Sequence, residues 1–387
     1  MEGLPAALQS IYDEVHGREE VRPTLDELRP AWAAHLARAR QQIRDLHVED
    51  EGESLYLGRL SPGCRACKAG TWDCIFVTVA CNLDCPFCYS PSAVPRDYAG
   101  SQMGSTPAEI AANHDRTCIT GIAFTGGEPF LRPERLFEWI AWFTAHCPDR
   151  YYWVYTNGLL ASPDRLERLA ALGVDEVRFN LAASGYDHPG VLENLSAAAG
   201  CLPTVTVEIP AIPEHRDRVL AGLADWCARG VRFLNLHELI YEPGTNSASL
   251  PGARQDLVTP DGHRSAINPA SRELTLAVMR RVQDEGLPLS VNDCSLQSKL
   301  RQLRGRRRCL SPLTAEPHET LVDGTLLESY CAFRGDELII FGRQSLAGMR
   351  RRYPDHRIVR LARTAPLSVR DRGRWVAFEF PEVASLP

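Results

Sequence analysis

CNLDCPFCY, Cys81 to Tyr89, places three cysteines in a C-x3-C-x2-C spacing with Pro86 and two aromatic residues among them. A structural zinc site takes four ligands, and disulfides need pairs in an oxidising compartment. Three thiols in one short loop fit neither pattern by themselves.

The flanking sequence supplies the frame. Ile75 to Val79 is a short apolar, β-branched run, and Ile119 to Phe124 is a second, ending in Thr125-Gly126-Gly127. Glu134 to Cys147 carries Leu136, Ile140 and Phe143 at helical spacing. Tyr151 to Tyr155 reads as a strand ending in Thr156-Asn157-Gly158, and Ser162-Pro163 opens a helix that Gly173 closes. Val177, Phe179 and Leu181 alternate with polar residues. Thr204 to Ile209 and Val231 to Leu236 repeat the theme around a helix at about 215 to 228. Six β/α units predict an α/β fold with a parallel sheet, a partial (β/α)6 barrel rather than a closed eight-stranded one.

The distinctive residues fall at the predicted C-terminal strand ends, where parallel barrels gather their chemistry. The three cysteines follow the first strand and Gly126-Gly127-Glu128-Pro129 the second. Asn157 follows the third, Asn180 and Glu208 end the fourth and fifth, and Glu238 follows the sixth.

Three segments are expected: a helical extension over 1–60, the barrel over 61–310, and a small β-rich domain over 311–387. Residues 1 to about 50 read as helices, with a capping box at Thr24-Leu-Asp-Glu27. In the last segment Leu321 to Leu326 reads as a hairpin with an Asp-Gly turn, and Glu337 to Phe341 and Arg374 to Phe380 as strands.

Of 387 residues 44% are hydrophobic and 24% charged, the make-up of an ordinary globular protein. A net charge of -6 gives no general case for a nucleic-acid partner. The start lacks a signal-peptide pattern, and no apolar run is long enough to span a bilayer, so a cytoplasmic protein is expected. In that compartment 13 cysteines point to metal or redox chemistry. Cys118, Cys147, Cys201 and Cys227 stand singly and read as buried small hydrophobes.

Three thiolates can hold three irons of a four-iron cube and leave the fourth open to a small ligand, whereas ferredoxins close it with a fourth cysteine. The alternative is a three-thiolate zinc site completed by a distant residue. Cys81, Cys85 and Cys88, with Tyr89 in the aromatic place after them and Gly126-Gly127-Glu128-Pro129 at the end of the next strand, resemble the radical SAM superfamily.

That resemblance implies an enzyme with a [4Fe-4S] cluster and S-adenosylmethionine as cofactors, whose reductive cleavage starts hydrogen abstraction from a substrate. It also implies an external electron donor such as flavodoxin or ferredoxin. By the same resemblance Gly126, Gly127, Glu128 and Pro129 would receive the SAM amine. Asn180 would approach the ribose or carboxylate, and Glu208 the adenine or methionine part. Asn157, at the next strand end, is grouped with the cofactor-binding residues.

The plainer alternatives are a strand-end role for Asn180 and a rim ion pair for Glu208. A closer likeness joins Gly63 to Cys67, Gly173 to Phe179, Phe233 to Leu239 with Thr245-Asn246, and Val291 to Ser295 with Lys299 and Gln302 to Arg304. It is to a mainly archaeal group related to the pyruvate formate-lyase activating enzyme.

For the substrate, a small natural-product, nucleoside or sugar intermediate comes first, undergoing rearrangement, epimerisation or sulfur insertion. A peptide or protein, as for an activase, is the alternative, although no leader-peptide domain is legible in the N-terminal helices. Radical methyl transfer with cobalamin is a further one.

Cys64 and Cys67 form a C-x2-C half-site before the first strand, with Cys74 at the start of that strand. Cys64, Cys67, Cys294 and one of Cys309 or Cys331 are expected to bind a second iron–sulfur cluster or a single iron or zinc. Packing as reduced residues is the alternative. The run Arg301, Arg304, Arg306, Arg307 and Arg308 suits a phosphate-bearing substrate, or is a solvated helix face.

Overall fold

A computed structural model describes residues 25–49, 54–88, 106–242, 244–258 and 264–314. Beyond them it describes 328–334, 337–340, 350–351, 354–362, 367–371, 374–378 and 384–385. The chain divides into two units, one made of 29–255 with 265–306, the other of 1–28, 256–264 and 307–387.

The larger unit begins with α1 (Leu25–Gln42), β1 (Leu46–Glu49), β2 (Ser54–Leu57) and α2 (Pro62–Ala69). Strands and helices then alternate: β3 (Trp72–Thr78), α3 (Pro107–His114), β4 (Gly121–Gly126), α4 (Pro133–His146), β5 (Tyr151–Thr156), α5 (Pro163–Ala171) and β6 (Glu176–Phe179). They continue through α6 (Pro189–Cys201), β7 (Thr204–Ala211), α7 (Arg216–Ala228) and β8 (Phe233–Glu238). Short strands β9 (Ile240–Tyr241), β10 (Gln255–Val258) and β11 (Arg264–Ile267) lead to α8 (Ser271–Asp284), β12 (Ser290–Cys294) and α9 (Leu296–Thr314).

Nine strands form one sheet in the order β1-β2-β12-β8-β7-β6-β5-β4-β3. Every neighbouring pair from β12 to β3 is parallel, while β2 runs antiparallel to β12 and β1 to β2. A flat sheet would hold β3 and β12 roughly 29 Å apart, six spacings of about 4.8 Å. Instead Cys74 of β3 and Cys294 of β12 line one cavity. The sheet therefore curls into a partial barrel. The helices cover it with the apolar stripes their spacing predicts, Leu136, Ile140 and Phe143 on α4 and Val219, Leu223 and Trp226 on α7, all buried.

Two expectations need correction. Residues 46–49 form a strand, not helix, because Leu46 to Glu49 pairs with Ser54 to Leu57. The parallel set also holds a seventh strand, β12. It carries Asn292 and Asp293 in buried positions, so its hydrophobic pattern is broken. Their burial is compensated by partners distant in sequence: Asn292 donates to Asn235, and Arg272 donates to Asp293 at 2.7 Å.

The other unit contains β13 (Glu328–Arg334), β14 (Glu337–Ile340), β15 (Arg357–Ala362), β16 (Leu367–Asp371), β17 (Arg374–Phe378) and β18 (Ala384–Ser385). They form an antiparallel sheet in the order β14-β13-β15-β18 and a β16–β17 pair. The expected capping residue Thr24 and the Leu321 to Leu326 hairpin lie outside the described residues. No helix among the described residues is long and apolar enough to cross a membrane.

Candidate metal centre and interior cavity

The cysteine loop leaves the end of β3 and is zipped to the end of β4. Gly127 N–H donates to Thr78 O and Glu128 N–H to Ala80 O, both at 2.9 Å. Glycine is required here by space. A Cβ on Gly126, at φ 149°, would lie 1.9 Å from Thr78 O, and one on Gly127 would lie 2.2 Å from Ala80 O.

Glu128 is fully buried. Its carboxylate accepts the N–H groups of Phe130 at 3.1 Å and Asn157 at 2.8 Å, and the Thr156 hydroxyl at 3.0 Å. Burial raises its pKa, against these three donors. The side chain thus joins the β4 and β5 ends, and the backbone around Gly126–Gly127 is the part of the motif that its interactions leave at the loop. Pro129 starts a buried single turn over Pro129–Leu131.

Asn157 extends the connection, donating through Nδ2 to Asn82 Oδ1 at 2.8 Å inside the loop. From the other side Asn246 Nδ2 donates to Asp84 Oδ1 at 2.8 Å and to Cys85 O at 3.1 Å. Ser247 N–H donates to Cys88 O at 3.3 Å. Asn82 and Asp84 fall in the unspecified positions of the cysteine spacing, which is why the sequence did not mark them. Tyr89 lies outside the described residues.

The donor set fits an iron–sulfur cluster. Burial and then the neighbouring Cys88, Cys81 and Asp84 push the Cys85 thiol up to about 12, so thiolates here need a cation to form. Among the described residues no three His, Cys, Asp or Glu side chains are grouped to hold a single metal ion. Thiolates at the corners of a cluster bind separate irons and stand further apart.

Asn180 is half-buried and caps the turn Leu181–Ser184, its Oδ1 accepting from Ala183 N–H at 3.3 Å. Glu208 points inward. It accepts from Arg178 at 2.7 Å and pairs with His237 at 2.9 Å. Arg178 also reaches Glu176 at 2.8 Å. Although burial pushes it up, Arg178 and then His237 hold the Glu208 carboxyl well below the ordinary range. The Glu176–Arg178 pair was legible as two charges at strand period on one face, and it was not singled out.

Arg178, Glu208 and His237 line a cavity of about 380 Å³ inside the barrel. Cys64, Cys67, Cys74 and Cys294 are on its walls, with Lys68, Arg178, Lys299 and Arg306 as cations and Glu208 as the acid. The second-site cysteines Cys64, Cys67 and Cys294 therefore share a cavity. Cys309 belongs to the other unit and is disulfide-bonded, so it is not available as the expected thiolate ligand, and the Cys331 side chain lies outside the described residues. Of the arginine run, Arg306 pairs with Asp73 and lies over the Trp72 ring, 4.7 Å from its centroid. The side chains of Arg304, Arg307 and Arg308 lie outside the described residues.

Comparison with known proteins bears on this arrangement. Residues 75–227 match the family model of the Radical SAM superfamily. A protein of Methanocaldococcus jannaschii named as a glycyl-radical enzyme activating enzyme is 26% identical over 290 residues, 72% of this chain and 75% of that one. A GTP 3',8-cyclase of Synechococcus is 29% identical over 163 residues, 42% of this chain and 43% of its own. Streptococcus suis SuiB bound to S-adenosylmethionine superposes with a TM-score of 0.44 at 13% identity, over 58% of this chain and 50% of that one. The matched segment spans the three-cysteine loop and the glycine-rich end of β4; residues 75–227 are thus similar to the radical SAM superfamily, and the chain is an enzyme.

Proposed function

We propose that Cys81, Cys85 and Cys88 hold a [4Fe-4S] cluster, that S-adenosylmethionine binds beside it at the strand ends, and that hydrogen is abstracted from a small organic substrate. The observation that carries this reading is the fixed loop. Its three thiols are held from two sides, by Asn157 and by Asn246 with Ser247, against the glycine-rich end of β4.

When bound, the cluster supplies the electron that cleaves SAM and releases a 5′-deoxyadenosyl radical. The chain's own residues bind and orient. Cys81, Cys85 and Cys88 would hold the cluster. The Gly126–Gly127 backbone and Asn180 are the groups assigned to SAM. Glu128 positions that backbone from behind, and Glu208 orders the cavity wall through Arg178 and His237. An external flavodoxin or ferredoxin would supply the electron.

The cavity volume, about 380 Å³, is within the range of small-molecule sites. Lys68 and Lys299 on the cavity wall, beside the ion-paired Arg178 and Arg306, suit a substrate with a carboxylate or phosphate, as in a nucleoside, sugar or natural-product intermediate. Anaerobic incubation with SAM, dithionite and deuterated candidate metabolites tests it: deuterium should appear in 5′-deoxyadenosine with a substrate that fits.

An activase is the second reading, favoured by the relatives. Besides the archaeal protein, an anaerobic ribonucleoside-triphosphate reductase-activating protein of Enterobacteria phage T4 is 27% identical over 115 residues. On that reading the substrate is a partner protein, and a glycyl-radical electron paramagnetic resonance signal would appear on the partner instead.

A further inference from the structure

The C-x2-C pair does not face solvent. α2 begins at the Ser61 cap, whose side chain accepts from Cys64 N–H at 3.2 Å, and ends at Gly70 with φ 73°. This short helix packs against β3 and β5, with Cys67 and Cys74 both lying on the cluster of Ala66, Ala123 and Trp153. Cys64 and Cys294 are buried. Cys64, Cys67 and Cys74 line one cavity wall together. Cys294 ends β12 and lines the same cavity.

Two further features point to an anionic, sulfur-rich occupant. The Nε1 atoms of Trp72 and Trp153 are buried without a hydrogen-bond partner. Both indoles belong to the group packed with Cys67 and Cys74, and Trp72 lines the cavity itself. A buried N–H donor left unmatched costs about 1–3 kcal/mol, and thiolate or sulfide sulfur is an acceptor for it. The cavity wall also carries Lys68 and Lys299, besides Arg178 and Arg306, which are already paired with Glu208 and Asp73. A [4Fe-4S] cube on four thiolates carries net negative charge and answers both. A single zinc or iron fits less well, since no three such ligands are grouped for one ion among the described residues.

We infer that Cys64, Cys67, Cys74 and Cys294 bind a second [4Fe-4S] cluster inside the barrel. This replaces Cys309 and Cys331 with Cys74, because the cavity brings Cys74 onto the wall that Cys64 and Cys67 share. The inference concerns thiols outside the Cys81–Cys88 loop, but it places the cluster in the cavity that the proposed reaction assigns to its substrate and leaves the substrate the remainder of that space.

The test uses the full chain with Cys81→Ala, Cys85→Ala and Cys88→Ala combined, reconstituted anaerobically with ferrous iron and sulfide and then desalted. About four irons and four sulfides per chain should remain. Conservative Cys74→Ser and Cys294→Ser, each added to that background, should lose most of that iron, whereas Cys227→Ser should keep it. The serine variants preserve side-chain size, and circular dichroism checks their folding. If Cys64→Ala with Cys67→Ala does not fold, the serine variants decide. A triple-alanine protein with native circular dichroism and no iron overturns the inference. So does iron that survives both Cys74→Ser and Cys294→Ser. SAM cleavage plays no part in the readout, so this result and that of the proposed reaction are separable.

Discussion

The carboxylate of Glu128 accepts the backbone N–H of Asn157 at 2.8 Å in a fully buried setting, and the Asn157 side chain in turn donates to Asn82 in the cysteine loop. The glycine-rich motif is thus joined to the cysteine loop by a side chain that needs no ligand. In Glu128→Ala the donors of Phe130, Thr156 and Asn157 lose their acceptor. At about 1–3 kcal/mol for a buried unmatched group, stability should fall by about 3 kcal/mol. Thermal denaturation of the apoprotein should show the loss before any SAM is added, and an unchanged Tm would contradict this role.

Gly127→Ala should disrupt the centre through the backbone alone. Its Cβ would stand 2.2 Å from Ala80 O, one residue before Cys81, and backbone cannot give way as a flexible side chain can. Iron bound after reconstitution should drop sharply. Gly200→Ala is the control: nothing lies within 4 Å of its new Cβ. In α6 that exchange should stabilise the chain by about 0.5–1 kcal/mol. Equal iron content in the two variants would show that the close approach is not needed.

Glu208 gives a pH dependence. Its folded-state pKa lies below the ordinary glutamate value of 4.5, with Arg178 and then His237 outweighing burial. A carboxylate depressed by folding stabilises above its unfolded pKa, and the contribution fades as pH falls through the folded pKa. Glu208→Gln should therefore be less stable than the parent at pH 7, by about 3 kcal/mol for a broken buried pair. The difference should shrink as pH falls below 4.5. Tm measured across that range checks it; a gap constant with pH would mean that Glu208 acts by packing rather than by charge.

Much of this was legible in the sequence, for identifiable reasons. The cysteine spacing and Gly126-Gly127-Glu128-Pro129 are local patterns, and the parallel strands carry apolar runs bounded by turn residues. β12 escaped because Asn292 and Asp293 are buried against Asn235 and Arg272, partners more than a helix away in sequence. The inward charge system of Glu176, Arg178, Glu208 and His237 spans three strands, and spacing along one strand does not reveal which other strand it meets. Cys74 was read as the start of a strand. Its relation to Cys64 and Cys67 depends on α2 folding back against β3, a packing event with no signature in cysteine spacing.

Asn246 holds the loop from the side opposite Asn157. Asn246→Ala removes the bonds to Asp84 and to the Cys85 carbonyl. In this partly exposed place the cost should be about 1 kcal/mol, so folding should survive. The reconstituted cluster should instead bleach faster on exposure to a chelator, followed by visible absorbance. Identical bleaching rates would remove Asn246 from the set of loop-holding residues.

The central claim is that Cys81, Cys85 and Cys88 carry the SAM-cleaving centre, and the direct measurement is 5′-deoxyadenosine formed from SAM under anaerobic dithionite by the reconstituted full chain. The parent should form it. Cys81→Ala, Cys85→Ala and Cys88→Ala should each form none while keeping native circular dichroism. Reductive cleavage of SAM that persists in any of the three would contradict the account.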